Sequence, residues 1–186
     1  MTRISKIDQV PISIKPHFTN DQIGDLFGTI ALVPELLEVV KPFISMILGP
    51  SSLDFRIKEL VILRVSFLQR CRFCSHTHAW VAHHHEVLSK AEIQSLLSSE
   101  CNRSLFALSE RRLLAWVDVV GESSRSVPEY LLLDLKESWE DFEIVELTML
   151  IGAVIMLNRY CSAFAITPSD VHVDFVQQHI GDLDEW

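Results

Sequence analysis

The sequence contains few glycines and fewer positive than negative charges. The first feature is typical of a folded domain, and the second argues against nucleic acids and anionic membranes as partners. Only six of the 186 residues are glycine and 48% are hydrophobic, so a substantial folded core is expected. Sixteen lysines and arginines stand against 25 aspartates and glutamates, which gives a net charge of −9. Nucleic acids and anionic membranes are bound by clustered lysine and arginine. We therefore expect neither of them as a partner.

The sequence also lacks apolar segments of the kinds that direct export or span a membrane. Its start, MTRISKIDQV, has no apolar core of a secretory leader. The run LTMLIGAVIML is far shorter than the roughly 20 residues that a bilayer requires, so we interpret it as a core helix. Four cysteines without a leader favour a reducing compartment over a disulfide scaffold. These features predict a cytoplasmic protein.

Alternating strand patterns bounded by turns are absent, whereas signals for helix starts and ends recur along the chain. They predict a single all-α domain over residues 1–186, with about seven or eight helices and an irregular segment at 1–18. The predicted starts lie at Asn20 or Asp21, Pro34, Asp54, Cys71, Ser89, Ser109, Pro128, Asp141 and Ser169. Pro42 should kink or break the second helix, and Gly121 should end the sixth.

A glutamate, two cysteines and a histidine form the pattern that organises the sequence. On a helix, Cys71, Cys74 and His78 would lie on one stripe because they are spaced three and four residues apart. Glu59 and His78 are the same number of residues away from a polar turn between positions 68 and 69. In an antiparallel helical hairpin they would therefore lie side by side on the two helices. Cys71 would fall in a first helical turn, where free N–H groups favour a thiolate. The pattern predicts a redox or nucleophilic cysteine with a Glu–His proton relay.

Other interpretations of these residues stay open. The cysteines could be two small buried side chains. They could also belong to a zinc site, with ligands drawn from Cys71, Cys74, His78, and His76 or one of His83–His85. Zinc sites usually draw ligands from two separated segments, whereas these residues all lie on one helix. Glu59 could pair with Arg56. Cys101 and Cys161 have no partner pattern, and we interpret them as core or half-exposed thiols.

The same four residues resemble the signature of the carboxymuconolactone decarboxylase superfamily, and more narrowly its alkylhydroperoxidase D (AhpD) branch. That signature has a glutamate, eleven intervening residues, Cys-x-x-Cys, three more residues and a histidine, as Glu59, Cys71, Cys74 and His78 do. The resemblance covers roughly residues 25–165. It includes the segments LFGTIALVPELLE, SLDFRIKELVILRVSFLQRC, LSKAEI and ELTMLIGAVIMLNRY.

The resemblance implies an AhpD-like helical fold, with the cysteine helix packed in an antiparallel hairpin, and a homo-oligomer. It implies that Cys71 and Cys74 cycle between dithiol and disulfide, with Cys74 attacking and Cys71 resolving, while His78 and Glu59 relay protons. The substrate would be a small hydroperoxide. The reductant would be an external dithiol such as a lipoyl group, with a lipoylated protein or a peroxiredoxin as partner, and no metal, flavin or haem is implied. Phe73 occupies a position at which the best-known member of the branch has a histidine.

Two other functions compete with a thiol-dependent antioxidant enzyme. One is a decarboxylase or lactone-processing enzyme in which His78 and Glu59 do acid–base work. The true decarboxylases of the superfamily lack the paired cysteines, which argues against that function here. The other is a non-catalytic redox-sensing helical module, in which the cysteine pair is only a regulatory switch.

Overall fold

The computed structural model describes residues 2–10, 15, 23–122, 126–181 and 183, and its described elements are helical. The α-helices are α1 (Asp25–Ile30), α2 (Pro34–Leu48), α3 (Phe55–Leu68), α4 (Arg72–His84), α5 (Lys90–Leu96), α6 (Leu108–Glu122), α7 (Glu129–Lys136), α8 (Asp141–Phe164) and α9 (Asp170–His179). A short 3-10 helix spans Arg103–Leu105. The predicted all-α class is confirmed, but the described part of the chain holds nine α-helices rather than seven or eight.

Several helices begin beside their predicted residues, although Asp54 and Ser169 make no capping hydrogen bond through their side chains. Ser89 and Glu92 form the predicted capping box, in which each side chain accepts a hydrogen bond from the other residue's backbone. Two predictions were wrong, because α6 begins before Ser109 and still includes Gly121. The proposed caps at positions 20 and 21 lie outside the described residues.

The predicted break at Pro42 was also wrong, because α2 runs unbroken from Pro34 to Leu48. A proline removes one backbone donor from the helix interior, which costs stability. Leu37 on one side of Pro42 and Ile44 and Ile47 on the other are all buried. Packing on both sides of the proline therefore holds the helix together across the missing hydrogen bond.

Helix α3 lies at the centre of the molecule and packs against α4, α6 and α8. Leu60, Val61, Leu63 and Val65 are fully buried. Full burial of such a side chain stabilises the fold by about 1.5–3 kcal/mol relative to exposure. This packing fixes the position of every side chain on α3, including its few charged ones.

The positive charges of α3 are neutralised by partners from other parts of the chain. Lys58 is 1% exposed, donates from Nζ to the Ile47 carbonyl oxygen over 2.9 Å, and pairs with Glu146. Arg56 lies between Glu92 and Glu110, at 2.5 and 2.7 Å. The alternative pairing of Arg56 with Glu59 is therefore contradicted, and Glu59 is left to another partner. Buried charges are stable only when they are paired in this way.

Helix α8 buries one face and exposes a second apolar one. It is the described helix whose length and composition would suit a membrane span, but half of its most apolar stretch is buried inside the protein. Phe142, Val145, Met149 and Met156 are 44–64% exposed. Their spacing of three, four and seven residues places them on one stripe. These four large apolar side chains are therefore in contact with solvent along one face of the helix.

The end of α3, the start of α4 and the end of α8 meet at one place. Arg70 closes α3 in the left-handed backbone region, with φ of 53°. The Cys71 N–H then donates to the Ser66 carbonyl oxygen over 2.9 Å, which is a common way of ending a helix. Ala165 closes α8 in the same conformation, with φ of 51°. The two turns bring Cys71 and the last turns of α8 together.

Candidate functional site

Cys71 is the N-cap residue of α4. Its backbone is extended, and its Sγ accepts a hydrogen bond from the Cys74 N–H over 3.4 Å. An N-cap side chain normally satisfies one of the free N–H groups of the first turn through an oxygen, and here sulfur does so. The same N–H groups carry the positive end of the helix dipole, which favours a negative charge on the sulfur. The predicted placement of Cys71 in the first turn of a helix is therefore close to the observed one.

A third cysteine, Cys161 of α8, joins the pair. The Sγ atoms of Cys71, Cys74 and Cys161 all lie within 4.8 Å of one another. The three residues are 1%, 6% and 1% exposed, and Phe73 and Ile166 pack around them. Sequence reasoning missed the role of Cys161, because nothing in its spacing links it to a cysteine pair on another helix.

The three thiols differ in their pKa values. Hydrogen bonds from the Cys161 and Cys74 thiols lower the pKa of Cys71 far below the ordinary value, and they outweigh the opposing effect of burial. The same contacts raise the pKa of Cys74 and of Cys161 well above the ordinary value, because those thiols must keep their protons in order to donate. Of the three thiols, Cys71 is therefore the one at which the surroundings favour the thiolate form.

This distribution of charge revises the expected order of attack. The resemblance favours Cys74 as the attacking sulfur and Cys71 as the resolving one. The thiolate is the nucleophilic form of cysteine, and in this structure that form is favoured at Cys71. The reason is local, since the N-cap position gives Cys71 a backbone donor in addition to the two thiols.

Glu59 and His78 form a hydrogen-bonded pair between α3 and α4. The His78 Nδ1 lies 3.1 and 3.0 Å from the two carboxylate oxygens of Glu59. Glu59 is 2% exposed, and His78 is its polar partner there. Burial lowers the pKa of His78, but the charge and hydrogen bond of Glu59 raise it more, so the pKa is raised overall. The Cys71 thiolate acts in the same direction.

The sulfur cluster and the carboxylate–imidazole pair are coupled by charge. In the described part of the chain, no hydrogen bond joins His78 to a sulfur. A protonated His78 stabilises a thiolate at Cys71, and the thiolate in turn favours the proton on His78. Because Nδ1 faces Glu59, Nε2 is the ring nitrogen that can exchange a proton with a substrate or solvent.

A cavity of about 400 Å³ opens beside the cluster. Cys71 and Cys161 line it, whereas Cys74 does not. Its wall also includes Arg3, Arg70, Arg72, Phe73, Ser162, Ala165, Ile166, Thr167 and Pro168. Three arginines line this one cavity of a protein whose net charge is −9. Such groups stabilise negative charge that develops during a reaction.

The histidines of the zinc interpretation do not gather around the cysteines. His76 Nδ1 lies 2.9 Å from the Arg72 carbonyl oxygen. His83, His84 and His85 stack or pack on Phe175, Trp80 and Phe55 respectively. The group of potential metal ligands found among the described residues is the three-cysteine cluster itself. The mixed Cys–His zinc site proposed from the sequence is therefore not assembled in this fold.

Comparison with known families places these residues in context. Residues 34–117 match the model of the carboxymuconolactone decarboxylase family, and this stretch contains Glu59, Cys71, Cys74 and His78. The match confirms the resemblance predicted from the sequence over these residues. None of the curated proteins matches the sequence.

Solved structures show the same fold. A protein of unknown function from Agrobacterium tumefaciens, for which the antioxidant defence role of AhpD has been suggested, is 27% identical; the match covers 76% of this chain and 95% of that one, with a TM-score of 0.70. A peroxidase-related protein from Ralstonia eutropha with an alkylhydroperoxidase AhpD core is 15% identical over 92% and 94%, with a TM-score of 0.80. The debrominase Bmp8, solved as its C82A variant with 2,3,4-tribromopyrrole, is 10% identical over 96% and 99%, with a TM-score of 0.76. The fold of this chain is AhpD-like.

The first prediction concerns which thiol is ionised. Iodoacetamide should alkylate Cys71 at about pH 6, where an ordinary thiol with a pKa of about 8.5 is almost fully protonated. Cys74 and Cys161 should stay unmodified there, because their pKa values are raised. The measurement is residue-resolved mass spectrometry over a pH series, with a model thiol peptide as control. Preferential labelling of Cys74 under these conditions would contradict the assignment.

The second prediction concerns Glu59. Glu59→Gln should lower the pKa of His78, because it removes the negative charge that raises it, while glutamine keeps an oxygen to accept from Nδ1. The titration of His78 by NMR measures this shift. Glu146→Gln is the control, since Glu146 pairs with Lys58 instead. A His78 titration that is the same in both variants would rule out Glu59 as the residue that sets its charge.

Proposed function

We propose that this protein is a thiol-dependent antioxidant enzyme that reduces small hydroperoxides with its cysteine pair. The observation that carries the proposal is the Cys71 thiolate, which lines a cavity together with three arginines while a second thiol donates to it. Hydroperoxide reduction by cysteine needs a nucleophilic thiolate beside a thiol that can resolve the oxidised product. Both are present in the first turn of α4.

The reaction proceeds in two steps at the cluster. The Cys71 thiolate attacks the terminal oxygen of the hydroperoxide, the O–O bond breaks, and the alkoxide leaves as Cys71 becomes a sulfenic acid. Arg70 and Arg72 stabilise the negative charge of the alkoxide, which takes up a proton to become the alcohol. The Cys74 sulfur then attacks the sulfenic sulfur, releasing water and forming the Cys71–Cys74 disulfide.

Glu59 and His78 relay the protons that move during this reaction. Glu59 holds the imidazole by Nδ1, so Nε2 is the nitrogen through which a proton moves. Protonated His78 stabilises the starting thiolate and is a proton source for the leaving alkoxide. Phe73, at the position of a further histidine in the best-known member of the branch, contributes an apolar contact to the cluster instead of a proton.

An external dithiol returns the enzyme to its reduced form. Attack of one thiolate of the dithiol on the disulfide gives a mixed disulfide, and its second thiol then releases the protein thiols. A lipoyl group has this chemistry, so a lipoylated protein is a suitable partner, and a peroxiredoxin is another to which electrons could pass. The protein needs no bound metal, flavin or haem for these steps.

Turnover of tert-butyl hydroperoxide with dihydrolipoamide tests the proposal. The wild type should consume both, Cys71→Ser should be inactive, and Cys74→Ser should be slower. Cys101→Ser is the matched control and should be unchanged, because Cys101 lies outside the cluster. Reversible disulfide formation without turnover would indicate a redox sensor. Activity on a lactone acid that survives removal of both Cys71 and Cys74 would indicate a lactone-processing enzyme instead.

We also propose that a second copy of the chain covers the exposed stripe of α8. The stripe is formed by Phe142, Val145, Met149 and Met156, and water contact with four large apolar side chains on one face is costly. The homo-oligomer implied by the family resemblance would bury them.

Val145→Glu combined with Met149→Glu should therefore dissociate the assembly, because two carboxylates would be buried at its interface. Light scattering at micromolar concentration should give more than 21.2 kDa for the wild type and a single-chain mass for the variant. Val171→Glu on α9 is the control, since Val171 is also exposed but lies off the stripe. A single-chain mass for the wild type would contradict the proposal.

A further inference from the structure

We infer that Cys161 is a second resolving thiol, so that Cys71 can form a disulfide with either of two partners. This inference rests on the proposed function. Cys161 is as deeply buried as Cys71, and its sulfur lies within 4.8 Å of both other sulfurs. A thiol held in this position is close enough to reach an oxidised Cys71 after a small movement.

The chemistry balances without another reagent. When Cys71 is a sulfenic acid, the Cys161 sulfur attacks it, the S–O bond breaks, and water leaves as the Cys71–Cys161 disulfide forms. When the Cys71–Cys74 disulfide is already present, the Cys161 thiol loses its proton and its sulfur attacks the Cys71 sulfur. The S–S bond to Cys74 breaks, and the Cys74 sulfur takes up that proton. The second route is an exchange and changes no oxidation level.

The two disulfides differ in what they present to the cavity. Cys71 and Cys161 both line it, whereas Cys74 does not. In the Cys71–Cys74 disulfide, an external dithiol that enters by this cavity meets one of the two bridged sulfurs. In the Cys71–Cys161 disulfide it meets both. Transfer of the bond to Cys161 therefore places both bridged sulfurs at the cavity.

The Cys71–Cys161 disulfide would also join two parts of the fold. Cys71 caps α4, and Cys161 lies in the last turn of α8 before the left-handed residue Ala165. A disulfide requires sulfur atoms about 2.05 Å apart, so the two ends must approach each other when it forms. Cys71 directly follows the turn at Arg70, and Cys161 lies in the last helical turn, which Ala165 ends.

Disulfide mapping by trypsin tests this inference, because cleavage after Arg70, Arg72, Lys90 and Arg159 puts the three cysteines on separate peptides. These peptides are 71–72, 73–90 and 160–186. Protein treated with one equivalent of tert-butyl hydroperoxide and then N-ethylmaleimide is digested without reduction. The wild type should give 71–72 linked to 73–90 and also 71–72 linked to 160–186. Cys74→Ser should give the second link only, and Cys161→Ser the first only.

Further measurements distinguish a failure of this inference from a failure of the proposed function. If Cys74→Ser and Cys74→Ala both accumulate a dimedone-reactive sulfenic acid at Cys71 while Cys161 is alkylated, Cys161 is not a resolving thiol, although the proposed function would stand. If the wild type neither turns over hydroperoxide nor forms a disulfide, the proposed function and this inference fail together. Cys74→Ser should keep measurable turnover with dihydrolipoamide, and Cys74→Ser/Cys161→Ser should lose it. The disulfide mapping of the wild type uses no variant, so its result does not depend on whether the variants fold.

Discussion

A buried thiolate needs hydrogen-bond donors, and the site at the junction of α3, α4 and α8 depends on the donors around the Cys71 sulfur. Burial alone would keep this thiol protonated. The thiols of Cys161 and Cys74 and the N–H of Cys74 reverse that preference. The packing of α4 against α8 places each of these donors beside the Cys71 sulfur. The charge at Cys71 therefore depends on the fold.

The rest of the structure keeps those donors in place. Helix α3 is fixed by its apolar side chains and by ion pairs at Arg56, Lys58 and Arg64, which reach Glu110, Glu146 and Asp118. Because these partners engage the other charges of α3, Glu59 is left to hold His78 across the interface with α4. The imidazole adds positive charge near Cys71 without occupying the cavity. In the proposed reaction, Glu59 is therefore a positioning residue, and Cys71 is the reacting one.

The sequence was sufficient to predict interactions between neighbouring helices. The bounds of α3 and the level placement of Glu59 and His78 follow from helical spacing on both sides of one turn. Cys161 could not be predicted, because its place depends on how α8 packs against a helix far away in the chain. From the sequence, the end of the helix favours a thiolate at Cys71, and the resemblance implies Cys74 as the attacking sulfur. The thiol of Cys161 beside Cys71 could not be seen in the sequence. Pro42 was expected to break α2, but tertiary packing on both sides of it prevailed.

The claim that Cys71 carries the negative charge at neutral pH is central to this account. Ultraviolet absorbance of the thiolate during a pH titration measures it most directly, without any substrate or reductant. The wild type should show one thiolate transition far below the ordinary thiol range of about pH 8.5, and Cys71→Ser should abolish it. A low transition that persists in Cys71→Ser and disappears in Cys74→Ser would contradict the account.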